Sequence, residues 1–149
     1  MSSQEVVTMS QSSNQTPKVS ILVDYDSISN DPRETITKII EKAREIGKVV
    51  KVRVYFLQDE FSQNKEVIDS ILSMGVEPVV VMLAKDVKMA IDLLDDSYSE
   101  DIDVLVLSYR KEALLPALID AKNRKQIVLV EFDGLPEGLK NIGDSFIRI

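Results

Sequence analysis

The amino-acid sequence predicts a single doubly wound α/β domain with a central parallel sheet in the strand order 3-2-1-4-5. Segments with the apolar pattern of strands alternate with segments of helical pattern from Lys18 to the end of the chain, as in successive βαβ units. The apolar residues are mostly Val, Ile and Leu, which typically build a sheet that is buried on both faces, and Trp is absent. A chain of 149 residues is long enough for one such domain with its own core.

The predicted strands are short runs rich in β-branched residues. The first run is wholly apolar, which is typical of a central strand. The second alternates apolar with charged residues, which indicates an edge or a half-covered strand. Pro78, near the start of the third, indicates an edge. The predicted strands cover residues 19–23, 49–57, 76–83, 102–107 and 127–132, with a candidate sixth strand at 146–149.

Four helices are predicted from apolar residues at helical spacing and from start and stop signals. The first begins with Asp31 as N-cap and Pro32 at its first position, and it ends at Gly47. Gly75 closes the second helix, and the fourth covers residues 112–122. The residues that predict the buried faces are Ile36, Ile39, Ile40, Ala43 and Ile46 in the first helix, Val67, Ile68, Ile71 and Leu72 in the second, and Val87, Ala90, Ile91 and Leu94 in the third.

The first 17 residues differ in composition from the rest. They are rich in Ser, Gln and Thr, carry one charged side chain, Glu5, and show no sustained apolar period. Such a segment does not bury enough apolar surface to offset the entropy of ordering it. We therefore expect a disordered polar tail at residues 1–17 and the folded domain at residues 18–149.

Composition excludes several classes of function. Without Cys or His, the chain has no thiol nucleophile, no imidazole base and no zinc site of the usual kind. None of the five glycines forms a phosphate loop, so we expect no nucleotide cofactor. A net charge of −7 argues against a large basic surface that coats nucleic acid. The absence of a membrane-spanning apolar segment and of a signal-peptide core predicts a cytoplasmic protein without a membrane partner.

Two acids directly follow the first predicted strand, in the stretch SILVDYDSIS at residues 20–29. Asp and Ser are common in surface turns, which is one explanation of Asp24 and Asp26. In doubly wound folds, however, ligands bind beyond the carboxyl ends of the strands, where the strand order reverses. The first strand lies next to that point, so the position of these acids favours a functional site.

Two further stretches contain candidate site residues. In KDVKMAIDLLDD, residues 85–96, Asp86 stands at the start of the third helix and Asp92 lies inside an apolar run. The alternative there is an N-cap and a solvated helix face, on which Lys88, Asp92, Asp95 and Asp96 fall at i, i+4, i+7 and i+8. In the loop after the fourth strand, Glu112 is expected to face Asp24 across the crevice, with Ser108 as a hydrogen-bond donor.

These segments resemble the NYN domains, a branch of the PIN-like metal-dependent nucleases. The resemblance covers about residues 18–149, and DVKMAIDLL is its most specific segment. The family motif D-g-d-N corresponds to Asp24-Tyr25-Asp26-Ser27, the middle helix motif to residues 85–92, S-G-D-S-D-F to residues 108–113 before Pro116, and a-D-x-F to Gly143-Asp144-Ser145-Phe146.

The resemblance implies RNA cleavage with Mg²⁺ or Mn²⁺ held by carboxylates, which are the ligands such hard ions prefer. It implies a set of site residues at the carboxyl edge of the sheet. The implied catalytic residues are Asp24, Asp86, Asp92 and Glu112, of which Asp24, Asp92 and Glu112 would bind the metal. The implied substrate-binding residues are Ser27, Lys85, Ser108 and Arg110.

The chain departs from the family pattern at three positions. Ser27 stands in place of Asn, and Glu112 is at best the second of two aspartates after the fourth strand. Arg110 stands in place of the first of them, and a guanidinium cannot bind a metal. Pointing inward, Arg110 would take the cation's place and pair with Asp24 or Asp92. Pointing outward, it could hold a phosphate with two hydrogen bonds.

Three interpretations therefore stay open. The first is an NYN-type ribonuclease, and the second is a catalytically inactive NYN-like domain that binds RNA, a protein partner or a second copy of itself. The third is a receiver-like regulatory module, which is disfavoured because residues 54–58 lack the acid that would be phosphorylated. Basic side chains concentrate at residues 33–53 and 110–125, where they form either a track for phosphates or ordinary solvated helix faces.

Overall fold

The computed structural model describes residues 15–149 and contains a six-stranded parallel sheet. The strands follow one another in the order 3-2-1-4-5-6. The predicted α/β class and the order of the first five strands are confirmed, and the sixth strand extends the sheet at one edge. The strands are Lys18–Asp24 (β1), Lys48–Leu57 (β2), Glu77–Val81 (β3), Val104–Ser108 (β4), Gln126–Glu131 (β5) and Ser145–Arg148 (β6).

Within residues 15–149, six α-helices cover the two faces of the sheet. The four long predicted helices are present, although the one after β4 begins three residues later than predicted, with Pro116 in its first turn. Two short helices, after β2 and after β5, were not predicted. The helices are Pro32–Ile46 (α1), Gln58–Ser62 (α2), Lys65–Ser73 (α3), Lys85–Tyr98 (α4), Leu115–Ala121 (α5) and Glu137–Ile142 (α6).

The core has two layers, one on each side of the sheet. Helices α1 and α3 pack on one face, against Val19, Ile21 and Val23 of β1. Helices α4, α5 and α6 pack on the other, against Leu22. Because side chains alternate along a strand, Asp24 points to the same face as Leu22, the face covered by α4. This alternation directs the acid at the end of β1 towards the start of α4.

The orientation of α4 differs from the prediction. Val87 and Ile91, predicted to be buried, are 58% and 51% exposed. The residues that α4 turns towards the sheet are Lys85, Met89, Asp92, Leu93, Asp96 and Ser97. Asp92 and Asp96 are therefore not on a solvated face, because they find polar partners on the strands below them.

Strand β2 supplies two of those partners. The alternation of its residues predicted an edge or half-covered strand, but β2 lies between β1 and β3, and its Arg53 and Tyr55 are buried. Arg53 and Tyr55 sit under α4, where they bind Asp92 and Asp96. The edge position predicted for β3 from Pro78 is confirmed.

The first fourteen residues of the predicted tail lie outside the described part of the chain, so the tail remains a prediction. Pro17, at its end, accepts a hydrogen bond on its carbonyl oxygen from the backbone N–H of Lys48, at 2.8 Å. No helix within residues 15–149 is both long and apolar enough to cross a membrane.

Asp144 connects the last two strands. Its carboxylate accepts hydrogen bonds from the backbone N–H of Ile127 and from Lys122 Nζ, both at 2.7 Å. These bonds, the one from Ile127 first, lower the pKa of Asp144 below its ordinary value of 3.8. A lowered pKa in the folded state stabilises the fold above pH 3.8, and this contribution disappears as the pH falls through the lowered value.

We expect Asp144→Ala to lower the free energy of unfolding by about 1 kcal/mol at neutral pH, after allowance for the exposure of the carboxylate. Urea unfolding of wild type and variant over a pH series measures this, with the exposed Asp69→Ala as control. The difference from wild type should shrink below pH 3.8. A difference that stays constant into strong acid would contradict this role of the ionised carboxylate.

Candidate functional site

A buried ammonium group lies at the carboxyl end of β1. Lys85 Nζ is 2.8 Å from Asp24 Oδ1, 2.8 Å from Glu60 Oε1 and 3.4 Å from Asp26 Oδ2. Burial lowers the pKa of Lys85, but the hydrogen bonds to Asp24 and Glu60 outweigh it and leave the pKa above its ordinary value. Lys85 is therefore a permanent positive charge that fixes these carboxylates. Ala84, just before it, has the strained left-handed φ of 57°, as residues at functional sites often do.

Asp24 is the most enclosed acid of this cluster, with 1% of the residue exposed. Its Oδ1 accepts hydrogen bonds from Lys85 and, at 3.3 Å, from the backbone N–H of Asp26. Its Oδ2 is buried and has no hydrogen-bond partner among the described residues. Burial raises the pKa of Asp24, and the bond from Lys85 offsets only part of that effect. One oxygen of this carboxylate is thus available to a further ligand.

A second ammonium group lies between three carboxylates. Lys111 Nζ is 3.6 Å from Asp26 Oδ2, 3.8 Å from Asp86 Oδ1 and 3.9 Å from Asp24 Oδ2. Its side chain is 47% exposed, in contrast to the buried Lys85. Asp86 also accepts a hydrogen bond from the hydroxyl of Tyr109, at 2.8 Å. Acids from the end of β1, from the turn that follows it and from the start of α4 therefore converge on one cation.

The cluster keeps a net negative charge, since Asp24, Asp26, Glu60 and Asp86 outnumber the two ammonium groups. A hydrogen bond with Glu60 lowers the pKa of Asp26, with Lys85 and Lys111 acting in the same direction. Burial raises the pKa of Glu60. Glu60 is therefore the partner that takes up a proton first, and Asp26 stays ionised. We call Asp24, Asp26, Glu60 and Asp86 the carboxylate cluster.

Asp92, predicted as a catalytic and metal-binding residue, belongs to a different network. Its Oδ2 accepts a hydrogen bond from the hydroxyl of Tyr55 at 2.7 Å and lies 3.6 Å from Arg53 Nη1. Arg53 also pairs with Asp96, which accepts a hydrogen bond from Ser20 Oγ at 2.6 Å. Asp92 follows Lys85 by seven residues, about 10 Å along a helix. It therefore lies beneath α4, away from the edge of the sheet.

Glu112, the other predicted metal ligand, lies near α6. A Cβ atom placed on Gly138 would be 3.3 Å from Glu112 Oε2. Within residues 15–149, no three acids stand in positions to hold a metal directly. The predicted trio of Asp24, Asp92 and Glu112 is thus not assembled, because Asp92 is drawn to Arg53 and Glu112 follows the loop towards α6. Of the predicted catalytic acids, the structure brings together Asp24 and Asp86.

Of the two orientations considered for Arg110, the structure has the outward one. The guanidinium of Arg110 lies 4.0 Å from the centre of the Phe132 ring, and the residue is exposed. Its neighbour Lys111 takes the place between the acids. The outward orientation leaves the hydrogen-bond donors of Arg110 exposed beside Phe132, after the end of β5.

The three other predicted substrate-binding residues are enclosed. Lys85 is occupied by the carboxylate cluster. Ser27 Oγ and Ser108 Oγ are buried and 2.7 Å apart, and Ser27 also donates to the backbone oxygen of Asp24 at 2.7 Å. The two hydroxyls tie the turn after β1 to the end of β4. They position Asp24 rather than contact a substrate.

Glu60 and Lys111 were not among the predicted site residues. Glu60 lies three residues beyond the end of β2, so the rule that singled out Asp24 would have found it if applied to the second strand. Its carboxylate accepts a hydrogen bond from the backbone N–H of Leu57 at 2.7 Å, which holds it at the strand end. For Lys111 the only signal was its place in the loop between β4 and α5.

Comparison with known proteins decides the family. A model of the family described as NYN domain matches residues 18–149. The chain belongs to the NYN domain family. This assignment is consistent with the PIN-like superfamily and excludes the receiver-like alternative.

Two further proteins resemble this NYN domain. An uncharacterized protein of Methanocaldococcus jannaschii is 30% identical over 135 residues, which cover 89% of this chain and 55% of that protein. The chain thus spans about half the length of this relative. A crystal structure of a protein of unknown function from Vibrio parahaemolyticus superposes with a TM-score of 0.75 at 18% identity, covering 91% of this chain and 94% of the other. At this low sequence identity, the similarity to the Vibrio parahaemolyticus protein shows a shared fold and no more.

Proposed function

We propose that this NYN domain hydrolyses phosphodiester bonds of RNA at the carboxylate cluster, with Mg²⁺ or Mn²⁺ as cofactor. The observation that carries the proposal is the convergence of Asp24, Asp26 and Asp86 on the ammonium of Lys111. Three acids from two distant parts of the chain surround one cation, and a positive charge between them relieves their mutual repulsion. NYN nucleases are generally dependent on a divalent metal, which agrees with this arrangement.

The residues fit a divalent metal in two respects. The donors are carboxylate oxygens, which Mg²⁺ and Mn²⁺ prefer, and Asp24 Oδ2 is buried without a hydrogen-bond partner in the described chain. Lys111 is half-exposed and can withdraw into solvent, whereas Lys85 remains as a fixed counter-charge. Asp24 Oδ2 would then hold the ion directly, and Asp26 and Asp86 would bind it through water molecules, because within residues 15–149 no three acids stand in positions to hold a metal directly. Once bound, it would supply an activated water and stabilise the leaving oxygen of the phosphodiester.

The surrounding side chains prepare the acids for this task. Lys85 holds the carboxylate of Asp24, and the paired hydroxyls of Ser27 and Ser108 hold its backbone in place. Tyr109 orients Asp86, and burial together with that hydrogen bond raises the pKa of Tyr109, so its hydroxyl stays a donor. Arg110, which is exposed in the loop after β4, would pair with a phosphate of the substrate.

A second candidate function is RNA binding without cleavage. The same ammonium favours it, because Lys111 already neutralises the acids that would hold the metal. NYN domains commonly bind RNA, so both candidates share the substrate. They differ in whether Mn²⁺ replaces Lys111 between the carboxylates.

Single-stranded RNA incubated with the protein tests the proposal. We expect cleavage with Mn²⁺, none with EDTA, and a loss of about 100-fold or more in Asp24→Asn, since a metal ligand matters at least as much as its supporting residues. The control is Asp69→Asn, an exposed acid of α3.

Equal cleavage by Asp24→Asn and wild type would overturn the proposal. Retained RNA binding, measured by fluorescence anisotropy, without any Mn²⁺-dependent cleavage would establish the second candidate.

A further inference from the structure

Helix α4 carries an apolar stripe on its outer face, formed by Val87, Ile91, Leu94 and Tyr98. Val87, Ile91 and Tyr98 are 58%, 51% and 68% exposed, with the guanidinium of Arg124 lying 3.8 Å from the centre of the Tyr98 ring, and Leu94 is half-buried against the core. The inner face of the same helix carries Asp92 and Asp96. Helix α4 thus buries two carboxylates beside Met89 and Leu93 and exposes apolar side chains, whereas an ordinary surface helix turns its apolar residues to the core. A continuous apolar stripe in solvent is typical of an interaction surface.

The spacing of this α4 stripe is that of a helix pair. Its members follow one another at intervals of four, three and four residues, which are the a and d positions of a heptad. An average spacing of about 3.5 residues keeps a seam turned towards one partner helix along its whole length. The residues that α4 buries fully lie on the other side. Leu94 also packs against the core, whereas most of Val87 and Ile91 faces solvent, which leaves the seam open to a partner. The occupant it fits is therefore another helix.

The charges beside the stripe select a second copy of α4, in antiparallel orientation. Lys88 and Asp95 occupy the two e positions on one flank, and the g positions on the other flank hold the uncharged Ala90 and Ser97. In an antiparallel pair the e flanks face each other, so each Lys88 meets Asp95 of the second copy. A parallel pair would set e against g and form no ion pair.

The antiparallel register is self-consistent. Ile91 packs against Leu94 of the second copy, and Val87 packs against Tyr98 of the second copy. Both pairs have the same midpoint, between positions 92 and 93. In this register, Lys88 and Asp95 of the second copy are offset by two residues, about 3 Å along the axis. A lysine side chain spans that offset. Lys88 also bonds Asp92 of its own chain at 3.0 Å, and its ammonium has donors for both acids.

We propose that the protein forms a symmetric dimer through antiparallel packing of its α4 stripe against that of a second copy. Met82 and Leu83, which are 77% and 76% exposed just before α4, extend the apolar area at each end of the pair. A pair of 14-residue helices buries less than the roughly 800 Å² per partner of a standard interface, so the dissociation constant falls in the micromolar range. The proposal is independent of any RNA cleavage.

Sedimentation velocity over about 5 to 200 µM protein brackets that range and tests the dimer. The expected result is a concentration-dependent dimer for wild type and a monomer throughout for Ile91→Glu. The matched control is Ile119→Glu, which replaces an apolar residue of α5 that is 57% exposed and should leave the dimer intact. A wild type that is monomeric at every concentration overturns the proposal, as does equal behaviour of Ile91→Glu and Ile119→Glu.

Exchanging the charges tests the orientation. Asp95→Lys alone sets lysines against lysines, and Lys88→Glu alone sets acids against acids, so each variant should be monomeric. Mixed together, the two should form a heterodimer, because both ion pairs are then restored with reversed sign in one of them. Thermal melting of each variant checks that it is folded. A wild-type dimer without heterodimer in the mixture overturns the antiparallel arrangement.

Discussion

Replacing Lys111 with Ser is expected to tighten the binding of Mn²⁺ by about tenfold or more, or about 1.4 kcal/mol. The ammonium of Lys111 lies 3.6 to 3.9 Å from oxygens of Asp24, Asp26 and Asp86. An incoming divalent ion has to displace it or tolerate a like charge close by. At such distances two charges interact with several kcal/mol in a partly buried site, and the half-exposed position of Lys111 reduces this to the stated change.

Isothermal titration calorimetry with Mn²⁺ measures the difference between wild type and Lys111→Ser. Lys65→Ser, at an exposed lysine of α3, is the control and should bind Mn²⁺ as wild type does. In EDTA, Lys111→Ser should be less stable than wild type by no more than about 1 kcal/mol, because half-exposed ion pairs contribute little. Equal Mn²⁺ affinities of wild type and Lys111→Ser would mean that Lys111 does not compete with the ion.

The same variant separates the two candidate functions. If the domain is a ribonuclease in which Lys111 competes with the metal ion, Lys111→Ser should need less Mn²⁺ for half-maximal cleavage. If it only binds RNA, the variant should gain Mn²⁺ affinity and still not cleave. The calorimetric readout is independent of activity, so a failure of the lysine hypothesis is distinguishable from a failure of the nuclease hypothesis.

The sheet was predictable because its signals are local. The apolar run of β1, the alternation of strands with helices and the stop signals at Gly47 and Gly75 all act within one element. The orientation of α4 was not predictable in this way. Its sequence contains an apolar stripe and an acidic stripe, and the helical period does not tell which one faces the sheet. The partners that decide it, Arg53 and Tyr55, lie some forty residues earlier in the chain.

The candidate site was predictable only in part, for a geometric reason. The end of a strand is visible in the sequence, so Asp24 could be assigned to the edge of the sheet. The depth of a residue along a helix relative to that edge is not visible, and Asp92 was therefore placed too close to Asp24. Loop conformation is equally hidden, so the sequence could not show that Lys111 rather than Arg110 points towards the acids.

The second large effect is expected from Lys85→Met, which should lower the free energy of unfolding by about 3 to 5 kcal/mol. Lys85 is buried and pairs with Asp24 and Glu60 at 2.8 Å. Met fills a similar volume, so the loss reports on charge rather than on a cavity. Without the ammonium, Asp24 remains as an uncompensated buried carboxylate, and removal of one partner from such a pair is strongly destabilising.

The expected size corresponds to a fall in melting temperature of roughly 10 °C for a domain of this length. The control is Lys65→Met, an exposed lysine of α3, which should change the stability by less than about 0.5 kcal/mol. Urea unfolding monitored by circular dichroism measures all three proteins. A Lys85→Met variant as stable as Lys65→Met would show that the ammonium does not hold the carboxylate cluster together.

The pH dependence and a second substitution identify Asp24 as the cause of the loss. Burial raises the pKa of Asp24 above its ordinary value of 3.8, and loss of Lys85 raises it further. A raised carboxyl pKa costs stability in full above that pKa, and the cost disappears as the pH falls towards 3.8. The deficit of Lys85→Met should therefore be largest at neutral pH and shrink in acid.

Adding Asp24→Asn to Lys85→Met should recover a large part of the lost stability at neutral pH, because it removes the unpaired charge. If the double variant is no more stable than Lys85→Met, Glu60 and Asp26 rather than Asp24 carry the unpaired charge.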